Sequence, residues 1–366
     1  MSRYVVKLGS ALLTQEGLRL NQAGIQNWTG QIASLIWAGH QVVVVSSGAV
    51  AAGLGVLGLS QRPTDMPTLQ AAAAAGQSGL ATLWETCFRS HGLASSQILL
   101  THEDLSDRTR YLNARATVLR LLDFNVIPVV NENDTVVTDE IRFGDNDTLA
   151  ALVANLIQAD ELIILTDQQG MYREDPRANP DAELLSEVQA NDRSLDAMAT
   201  GGAGTLGRGG MTTKVQAARL AARSGADTLI AHGLTDNVIV KIASGDAIGT
   251  RFVAPDAAQT ARKRWLAGHL RVKGYVYLDE GAQRAVTEMG RSLLPVGVSR
   301  VEGDFRRGEA VALMDADGQQ IGTGLTNYSA SEAKVIVGVA TTDLGQHLEH
   351  VGEPELIHRD NLALRL

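Results

Sequence analysis

Short apolar runs alternate with stretches of helical spacing along most of the chain. Six runs rich in β-branched and aliphatic residues predict strands: YVVKLG, QVVVV, QILLT, VIPVVN, ELIILTD and DTLIAHG. Five longer segments between them repeat apolar residues at helical spacing: IQNWTGQIASLIWAG, LQAAAAAGQSGLATLWETCF, RYLNARATVLRLLDF, NDTLAALVANLIQA and GMTTKVQAARLAARSG. Alternating strands and helices favour a mostly parallel sheet with helices on both faces. We therefore predict an α/β fold, a three-layer αβα sandwich.

The pattern changes beyond residue 260, where the segments become shorter and richer in strand-forming residues. Four of them stand out: GYVYLDEGA, SLLPVGVSRVEG, EAVALMDADGQQIGTGLTN and AKVIVGVA. Asp317–Gly318 in the third segment favours a tight hairpin, and together the four predict a small β-barrel. The expected boundaries are 1–258 for the α/β domain, 259–273 for a linker, 274–352 for the barrel domain and 353–366 for a C-terminal tail.

Composition and charge limit the classes of protein to which this chain can belong. The 366 residues are enough for two ordinary domains. The formal net charge of −9 disfavours binding to nucleic acids, and residues 265–366 carry 10 Lys and Arg against 14 Asp and Glu. Cys87 is the single cysteine, which excludes an intrachain disulfide and a cysteine zinc site. No apolar run has the length of a membrane span or a secretory signal, so we expect a cytoplasmic protein without a membrane partner.

Polar residues follow several predicted strands, at the end of a parallel sheet where ligands usually bind. Lys7 lies at the apolar end of the first strand, where a lysine needs a counter-charge. Ser47 and Gly48 follow four valines and offer a hydroxyl group and backbone N–H groups to an anionic ligand. Thr166 and Asp167 end a later strand, where the aspartate fits either a cap or a nucleotide contact. These strand ends are the first candidates for a ligand site.

A dense group of carboxylates follows the strand VIPVVN. Five acids lie within the segment NDTVVTDEIRFGDND: Asp134, Asp139, Glu140, Asp145 and Asp147. Carboxylates this close repel one another unless they meet a cation. They could recognise an ammonium group, orient lysines or surround Mg²⁺. Asp147 directly precedes a predicted helix and also fits a simple helix cap, so the residues alone leave these roles open.

The stretch TLGRGGMTTK, residues 205–214, places three glycines directly before a predicted helix. Glycine lets the backbone approach phosphates closely, and the N–H groups at a helix start attract anions. Lys214 adds a positive charge about one turn into that helix. We interpret the stretch as a nucleotide loop, although the Walker pattern G-x-x-x-x-G-K-[ST] is absent. Two G-x-G-x-x-G matches, at residues 53–58 and 202–207, do not directly follow strands, which disfavours a dinucleotide-binding fold.

Taken in order, six segments resemble the amino acid kinase family: VVKLGSALLT, VVVVSSGAVAAG, PVVNENDTV, FGDNDTLAALVA, LTDQQGMYREDPR and GGMTTKVQAA. The segments YVYLDEGA and SLLPVGVSRVEGDFRRGE resemble a PUA domain. The resemblance covers nearly the whole chain. It implies the amino acid kinase fold, ATP and Mg²⁺ as cofactors, and phosphorylation of the γ-carboxylate of L-glutamate to γ-glutamyl phosphate, the first step of proline biosynthesis.

The resemblance also implies roles for individual side chains. The catalytic residues would be Lys7, Lys214 and Asp147, with Asp147 orienting the two lysines. The glutamate-binding residues would be Ser47, Gly48, Asp134 and Asn146. The ATP-binding residues would be Lys7, Thr166, Asp167, Arg208, Gly209, Gly210, Met211, Thr212, Thr213 and Lys214. No residue is assigned to a metal, and Arg208 stands where the family usually has Thr or Ser.

Partners follow from the same resemblance. It implies feedback inhibition by proline, a homo-oligomer, and handover of the acyl phosphate to glutamate-5-semialdehyde dehydrogenase. One alternative is another kinase of the same fold, acting on acetylglutamate, aspartate or UMP, and the other is an RNA-binding role of the PUA domain. The SSGAVAAG segment and the C-terminal domain argue against the first, and the acidic charge of that domain argues against RNA.

Overall fold

The computed structural model describes residues 1–15, 17–137, 146–199, 210–255, 272–349 and 351–364. The chain forms two compact units, Met1–Asp107 with Asn113–Ala258 and Arg108–Leu112 with Gln259–Leu366. The domain and linker boundaries expected from the sequence stay a prediction, because most of the linker lies outside the described residues. Among the helices that the structure describes, none is long and apolar enough to cross a membrane.

A mostly parallel sheet forms the centre of the first unit. The strands are β1 (Arg3–Leu8), β2 (Thr14–Gln15), β3 (Arg19–Leu20), β4 (Gln41–Val45), β5 (Ala94–Leu100), β6 (Val126–Glu132), β7 (Glu161–Thr166), β8 (Glu187–Gln189), β9 (Asp227–His232) and β10 (Thr250–Val253). Eight of them pair in the order β5-β6-β4-β1-β7-β9-β10-β8, while β2 pairs with β3. Only the β9–β10 pair in the large sheet is antiparallel. The predicted mostly parallel sheet is confirmed, and the sequence missed β8 and β10 because EVQ and TRFV are too short to form an apolar run.

Helices connect most of these strands. They are α1 (Ser10–Leu13), α2 (Gln22–Trp37), α3 (Ala49–Val56), α4 (Met66–Arg89), α5 (His102–Ser106), α6 (Arg108–Asp123), α7 (Asp147–Ile157), α8 (Ser194–Ala199), α9 (Met211–Ala222) and α10 (Val238–Ala243). The five long helices predicted from the sequence are α2, α4, α6, α7 and α9. The start of α4 shows why such boundaries are sharp: the side chain of Asp65 accepts a hydrogen bond from the backbone N–H of Thr68, and Pro67 fits the first helical turn.

Alternate residues of each strand are buried on opposite faces of the sheet. On one face, Val6 of β1 and Val44 of β4 belong to a core that includes Trp28 of α2 and Trp84 of α4. On the other face, Val5 of β1 is fully buried, and α7 and α9 pack against the strands. The sheet therefore carries helices on both faces, which confirms the predicted αβα sandwich.

Helices α3 and α4 cross at two glycines. A Cβ atom on Gly53 would lie 1.7 Å from the carbonyl oxygen of Ala72, and one on Gly76 would lie 2.1 Å from the carbonyl oxygen of Ala49. Both distances are far inside van der Waals contact, so only glycine lets these two backbones approach so closely. Gly53 begins the first G-x-G-x-x-G match, and its role in the structure is helix packing.

The second unit contains a five-stranded mixed sheet. Its strands are β11 (Gly274–Leu278), β12 (Val298–Gly303), β13 (Ala310–Met314), β14 (Gln320–Leu325) and β15 (Leu362–Leu364). They pair in the order β12-β11-β13-β14-β15, with β11 and β13 parallel and the other pairs antiparallel. Its helices are α11 (Glu280–Thr287) and α12 (Ala330–Val335), and short 3₁₀ turns lie at Pro295–Gly297, Thr341–Gln346 and Arg359–Asn361. The predicted hairpin at Asp317–Gly318 joins β13 to β14, with Gly318 at a φ of +77°.

Three expectations for the second unit differ from the structure. The predicted barrel is a mixed sheet in which no described pairing joins the outer strands β12 and β15. The segment AKVIVGVA, expected to be β-rich, overlaps the end of α12, because Ser329 and Glu332 form a capping box that starts a helix there. The expected tail packs as part of the unit, since it supplies β15 and buries Leu356 and Ile357 in the core.

Candidate active site

Four neighbouring parallel strands, β6, β4, β1 and β7, end at the same side of the sheet. Lys7 lies near the end of β1, Ser47 follows β4, Asp134 follows β6, and Thr166 ends β7. Helices α7 and α9 begin close to the same place. Lys214 in the first turn of α9 forms an ion pair with Asp147 in the first turn of α7. This end of the sheet is where ligands bind in parallel α/β folds.

Two buried lysines share one buried carboxylate at this position. Lys7 Nζ binds Asp147 Oδ1, and Lys214 Nζ donates a hydrogen bond of 2.9 Å to Asp147 Oδ2. Thr213 Oγ1 donates to the same Oδ2 at 3.1 Å. Asp147 is fully buried, and Lys7 and Lys214 are 4% and 6% exposed. The structure therefore brings together the three residues that the sequence assigned to catalysis.

The fold explains this convergence. Lys7 and Val5 lie on the same face of β1, which α7 covers. Asp147 is the first residue of α7, where the free N–H groups of the helix start favour a carboxylate. Lys214 is the fourth residue of α9, and Asn155 Nδ2 of α7 donates to the carbonyl oxygen of Leu220 in α9 at 3.0 Å. The two lysines and one carboxylate carry a formal charge of +1 together, which attracts an anion.

The side-chain amide of Asn146 is held beside this cluster. Its Nδ2 donates to the carbonyl oxygen of Ser46 at 2.6 Å and to Asn131 Oδ1 at 2.9 Å. These two bonds use both N–H groups of the amide. Among the described residues, Asn146 Oδ1 accepts no hydrogen bond. Asn146 therefore presents an acceptor to a ligand.

The turn after β4 completes the adjacent wall of the site. Ser47 is buried, and Gly48 has a φ of +103°, a left-handed conformation that glycine adopts readily. Because the carbonyl oxygen of Ser46 holds Asn146, the predicted substrate-binding residues Ser47, Gly48 and Asn146 lie next to one another. Asp134, the fourth residue of that group, is half-buried in the turn that follows β6.

Five of the predicted ATP-binding residues line one cavity next to the lysine cluster: Thr166, Asp167, Gly210, Met211 and Lys214. Thr166 Oγ1 donates to Asp167 Oδ1 at 3.0 Å. Thr212 and Thr213 lie in the first turn of α9 but do not line the cavity. The hydroxyl group of Thr212 donates to the carbonyl oxygen of Ala199, and the single proton of the Thr213 hydroxyl group has two alternative acceptors, Asp147 Oδ2 and the carbonyl oxygen of Gly210. Lys7 does not line this cavity, and the carboxylate of Asp147 links it to Lys214, which does.

Several residues that the sequence singled out lie outside the described residues. They are Arg208 and Gly209 of the glycine-rich stretch, the acids Asp139, Glu140 and Asp145, and the second G-x-G-x-x-G match. Their predicted roles stay predictions.

The sequence did not identify several residues that build the site. Asn131 and Ser46 hold Asn146, and they lie inside segments that were singled out for neighbouring residues. Tyr172 and Arg177 line the cavity next to the lysine cluster, and their position in the segment LTDQQGMYREDPR was the only signal for them. Met198, which lines the same cavity from α8, has no signal in the sequence.

Comparison with known proteins shows to which family a chain with this arrangement of residues belongs. The family model described as "Amino acid kinase family" matches residues 2–232, which contain the lysine cluster and the cavity next to it. The chain belongs to the amino acid kinase family. A model of the PUA domain matches residues 274–348 of this amino acid kinase.

Full-length relatives place this amino acid kinase more narrowly. It is 56% identical over 362 residues to the glutamate 5-kinase of Hahella chejuensis, a match that covers 99% of this chain and 94% of that protein. It is 55% identical to the glutamate 5-kinase of Pseudomonas aeruginosa (strain UCBPP-PA14), covering 99% of this chain and 97% of that protein. A solved UMP kinase from Bacillus anthracis aligns with 16% identity and a TM-score of 0.48, covering 70% of this chain and 97% of that one. The assignment of the chain to its family rests on the two glutamate 5-kinases and on the family model.

Proposed function

We propose that this amino acid kinase transfers the γ-phosphoryl group of ATP to the γ-carboxylate of L-glutamate, the first step of proline biosynthesis. The product is γ-glutamyl phosphate. One observation carries the proposal: Lys7 and Lys214 meet on Asp147 between the nucleotide cavity and the amide of Asn146. The identity to glutamate 5-kinases along the whole chain supports the choice of substrate.

The chemistry fits two lysines without a general base. A carboxylate is already ionised near neutral pH, so no proton has to be removed from the nucleophile. The barrier is the repulsion between this carboxylate and the phosphate groups, together with the cost of aligning them. Lys7 and Lys214 neutralise that charge, and Asp147 holds both ammonium groups at fixed positions. One such preorganised contact accounts for a factor of about 10² to 10³ in kcat.

Recognition of the amino acid falls to the residues around Asn146. Asn146 Oδ1 is an acceptor and suits the α-ammonium group of glutamate, which has only donors. Asp134 provides the negative charge that favours an amino acid over a plain dicarboxylate. Ser47 and Gly48 supply a hydroxyl group and backbone N–H groups for the carboxylates.

Recognition of the nucleotide falls to the cavity at the ends of β7 and α9. Gly210 and Met211 at the start of α9 place backbone N–H groups toward the phosphates. Thr166 and Asp167 line the same cavity at the end of β7. Arg208 and Gly209 belong to the same proposal as further nucleotide contacts.

Mg²⁺ is part of this proposal as the ion that accompanies ATP. No group of three or more metal-binding side chains occurs within the described ranges, which fits an ion held mainly by phosphate oxygens and one or two carboxylates. Both oxygens of Asp147 are engaged by lysines, whereas Asp167 is exposed at the cavity. Asp167 follows β7 directly and is the carboxylate of the cavity that we propose to meet the ion, whose charge would offset that of the phosphates. Of the other two carboxylates of the cavity, Asp175 is paired with Arg177, and Glu174 accepts a hydrogen bond from Asn179.

Regulation, assembly and location extend the proposal. Proline shares the amino acid head group with glutamate, so we expect it to inhibit by competing at the Asn146 side of the site. The acyl phosphate is unstable in water, which favours direct handover to glutamate-5-semialdehyde dehydrogenase. We also expect the protein to form a homo-oligomer and to be located in the cytoplasm. Titration of proline at several glutamate concentrations tests whether proline and glutamate compete.

The proposed function is tested by trapping the product. The purified protein is incubated with ATP, Mg²⁺, hydroxylamine and one of three acids, L-glutamate, N-acetylglutamate or L-aspartate, and the hydroxamate is measured. UMP is tested in parallel by the release of ADP. We expect hydroxamate with L-glutamate alone. A faster reaction with any other acceptor would assign the chain to a different kinase of this fold.

A further inference from the structure

Helix α4 supports both hydrogen bonds that fix the amide of Asn146. The first acceptor, Asn131 Oδ1, belongs to an amide whose own Nδ2 donates to Gln77 Oε1 of α4 at 2.8 Å. The second acceptor, the carbonyl oxygen of Ser46, belongs to a residue whose hydroxyl group accepts a hydrogen bond of 2.9 Å from Trp84 Nε1 of α4. Gln77 and Trp84 are seven residues apart and therefore lie on one face of the helix.

Two acceptors set the direction of these bonds: the backbone carbonyl oxygen of Ser46, which can only accept, and Gln77 Oε1, which acts through Asn131. An amide has two donors on nitrogen and one acceptor oxygen, so each amide in a chain orients the next. Gln77 Oε1 accepts from Asn131 Nδ2, which turns Asn131 Oδ1 toward Asn146. Asn146 must then point its nitrogen toward Asn131 and its oxygen away from it. Without the acceptor on Gln77, Asn131 loses one of the two bonds that fix its orientation, and Asn146 is then held on one side only, by the carbonyl oxygen of Ser46.

We propose that Gln77 is a positioning residue that, acting through Asn131 and together with the carbonyl oxygen of Ser46, holds Asn146 so that its carbonyl oxygen, rather than its NH₂ group, faces the α-ammonium group of the substrate. This inference rests on the proposed function, because it concerns the amino acid bound at that site. Gln77 touches neither Lys7, Asp147 nor Lys214 through any hydrogen bond in the described residues. Its effect should therefore appear in the recognition of the amino acid and leave the nucleotide side unchanged.

Four variants separate this role from a general structural one. Gln77→Met keeps the length of the side chain and removes the acceptor, and Gln77→Glu keeps the acceptor. Gln77→Lys also reaches Asn131 but can only donate, and it carries the test if Gln77→Met fails to fold. Gln97→Met is the matched control. Gln97 of β5 and Gln77 line a second cavity, beside Ser46 and Asn131, and the side chain of Gln97 makes no hydrogen bond within the part of the chain that the structure describes.

The measurements are KM for glutamate, KM for ATP, kcat, and the ratio of kcat/KM for glutamate to that for glutarate, which lacks the ammonium group. We expect Gln77→Met to raise the KM for glutamate about tenfold and to lower the ratio by a similar factor, as for one lost hydrogen bond. Gln77→Glu and Gln97→Met should stay within about threefold of the unmodified protein in every parameter.

Three results would overturn the inference. One is an unchanged glutamate KM and an unchanged glutamate-to-glutarate ratio in Gln77→Met. Another is an equal rise in the KM values for glutamate and ATP. The third is a Gln77→Glu variant that is as impaired as Gln77→Met. If the unmodified protein itself forms no hydroxamate with glutamate, the proposed function fails instead, so the two failures are distinguishable.

Discussion

Lys7 and Lys214 bind the two opposite oxygens of a single buried carboxylate, that of Asp147. The first lysine comes from the first strand of the sheet and the second from a helix near the end of the same unit. Neither ammonium group would be stable in this buried position without a carboxylate. Asp147 therefore allows two positive charges to be held where a nucleotide cavity meets the predicted glutamate site.

Removing one lysine should reduce turnover. We expect Lys214→Ala to lower kcat by about a hundredfold or more, the loss typical of one preorganised contact with transition-state charge. Glutamate-dependent release of ADP measures the effect. Lys334→Ala is the control, because Lys334 is an exposed lysine of the second unit. Near-normal turnover in Lys214→Ala would remove this lysine from the mechanism.

Removing the shared carboxylate should affect stability as well as activity. Asp147→Asn leaves two buried ammonium groups with a neutral amide, and breaking a buried ion pair costs about 3–5 kcal/mol. We expect a lower free energy of unfolding in urea and little turnover. Tryptophan fluorescence follows the unfolding of this unit, since Trp28 and Trp84 are buried in its core.

The double variant Asp147→Asn with Lys214→Met is the control for Asp147→Asn. Removing one ammonium group should restore part of the lost stability, because one positive charge fewer is buried. Turnover should stay low in both variants. If the double variant is no more stable than Asp147→Asn alone, charge is not the cause of the destabilisation.

Asp134 should act on the amino acid and leave the nucleotide unaffected. We expect Asp134→Ala to raise the KM for glutamate strongly while the KM for ATP stays near its original value, because the lost charge is the one that we propose for the α-ammonium group. Steady-state kinetics with each substrate varied in turn measure both constants. A rise in the ATP constant alone would contradict the assigned role.

The sequence could predict the central layer of the fold and the composition of the catalytic cluster. Apolar runs such as VVVV of β4 and LIIL of β7 are buried on both faces, so their pattern reports the sheet directly. Lys7, Asp147 and Lys214 could be named because each lies in a recognisable segment after a strand or at a helix start. Their shared contact was expected only through the resemblance, which implies that Asp147 orients the two lysines. The residues alone leave that contact open, since it depends on how α7 and α9 pack.

Other features could not be predicted because they depend on contacts between residues far apart in the sequence, on helix capping, or on strands too short to show a pattern. Gln77 lies inside an Ala-rich helix, and nothing in its neighbourhood along the chain indicates that it reaches Asn131. The capping box of Ser329 and Glu332 outweighed an apolar run that suggested a strand. The C-terminal residues were expected to be a tail because three residues, Leu362–Leu364, are too few to give a strand pattern.

Burial of Glu161 at the start of β7 should make stability depend on pH. Desolvation raises the pKa of this carboxyl above its ordinary value of 4.5, an effect that Arg251 opposes and that Asp227 and Asp160 reinforce. The folded protein therefore binds this proton more tightly than the unfolded chain does. Stability from this group is lost as the pH rises from about 4.5 through the raised pKa.

Glu161→Gln tests this dependence, because glutamine does not ionise. The free energy of unfolding of the variant, relative to the unmodified protein, should increase as the pH rises from 4 to 7 in urea titrations. Glu349→Gln, at an exposed position, serves as the control. A difference that is constant with pH, or that falls as the pH rises, would contradict the expected direction.

The crossing of α3 and α4 offers a matched pair of glycines on one helix. Gly76→Ala would place its Cβ atom 2.1 Å from a backbone oxygen of α3, whereas a Cβ atom on Gly79 meets nothing within 4 Å. Both substitutions improve helix propensity by up to about 1 kcal/mol. We expect Gly79→Ala to stabilise the protein, and Gly76→Ala to destabilise it by about 1–3 kcal/mol through overpacking.

The same pair of variants connects packing to the site. Gly76 precedes Gln77, and α3 begins directly after Ser47 and Gly48, so a displaced crossing should also raise the KM for glutamate in Gly76→Ala. Urea unfolding and steady-state kinetics of both variants measure the two effects. Equal stability of Gly76→Ala and Gly79→Ala would show that the helices adjust to the added methyl group, and that their close approach is not required.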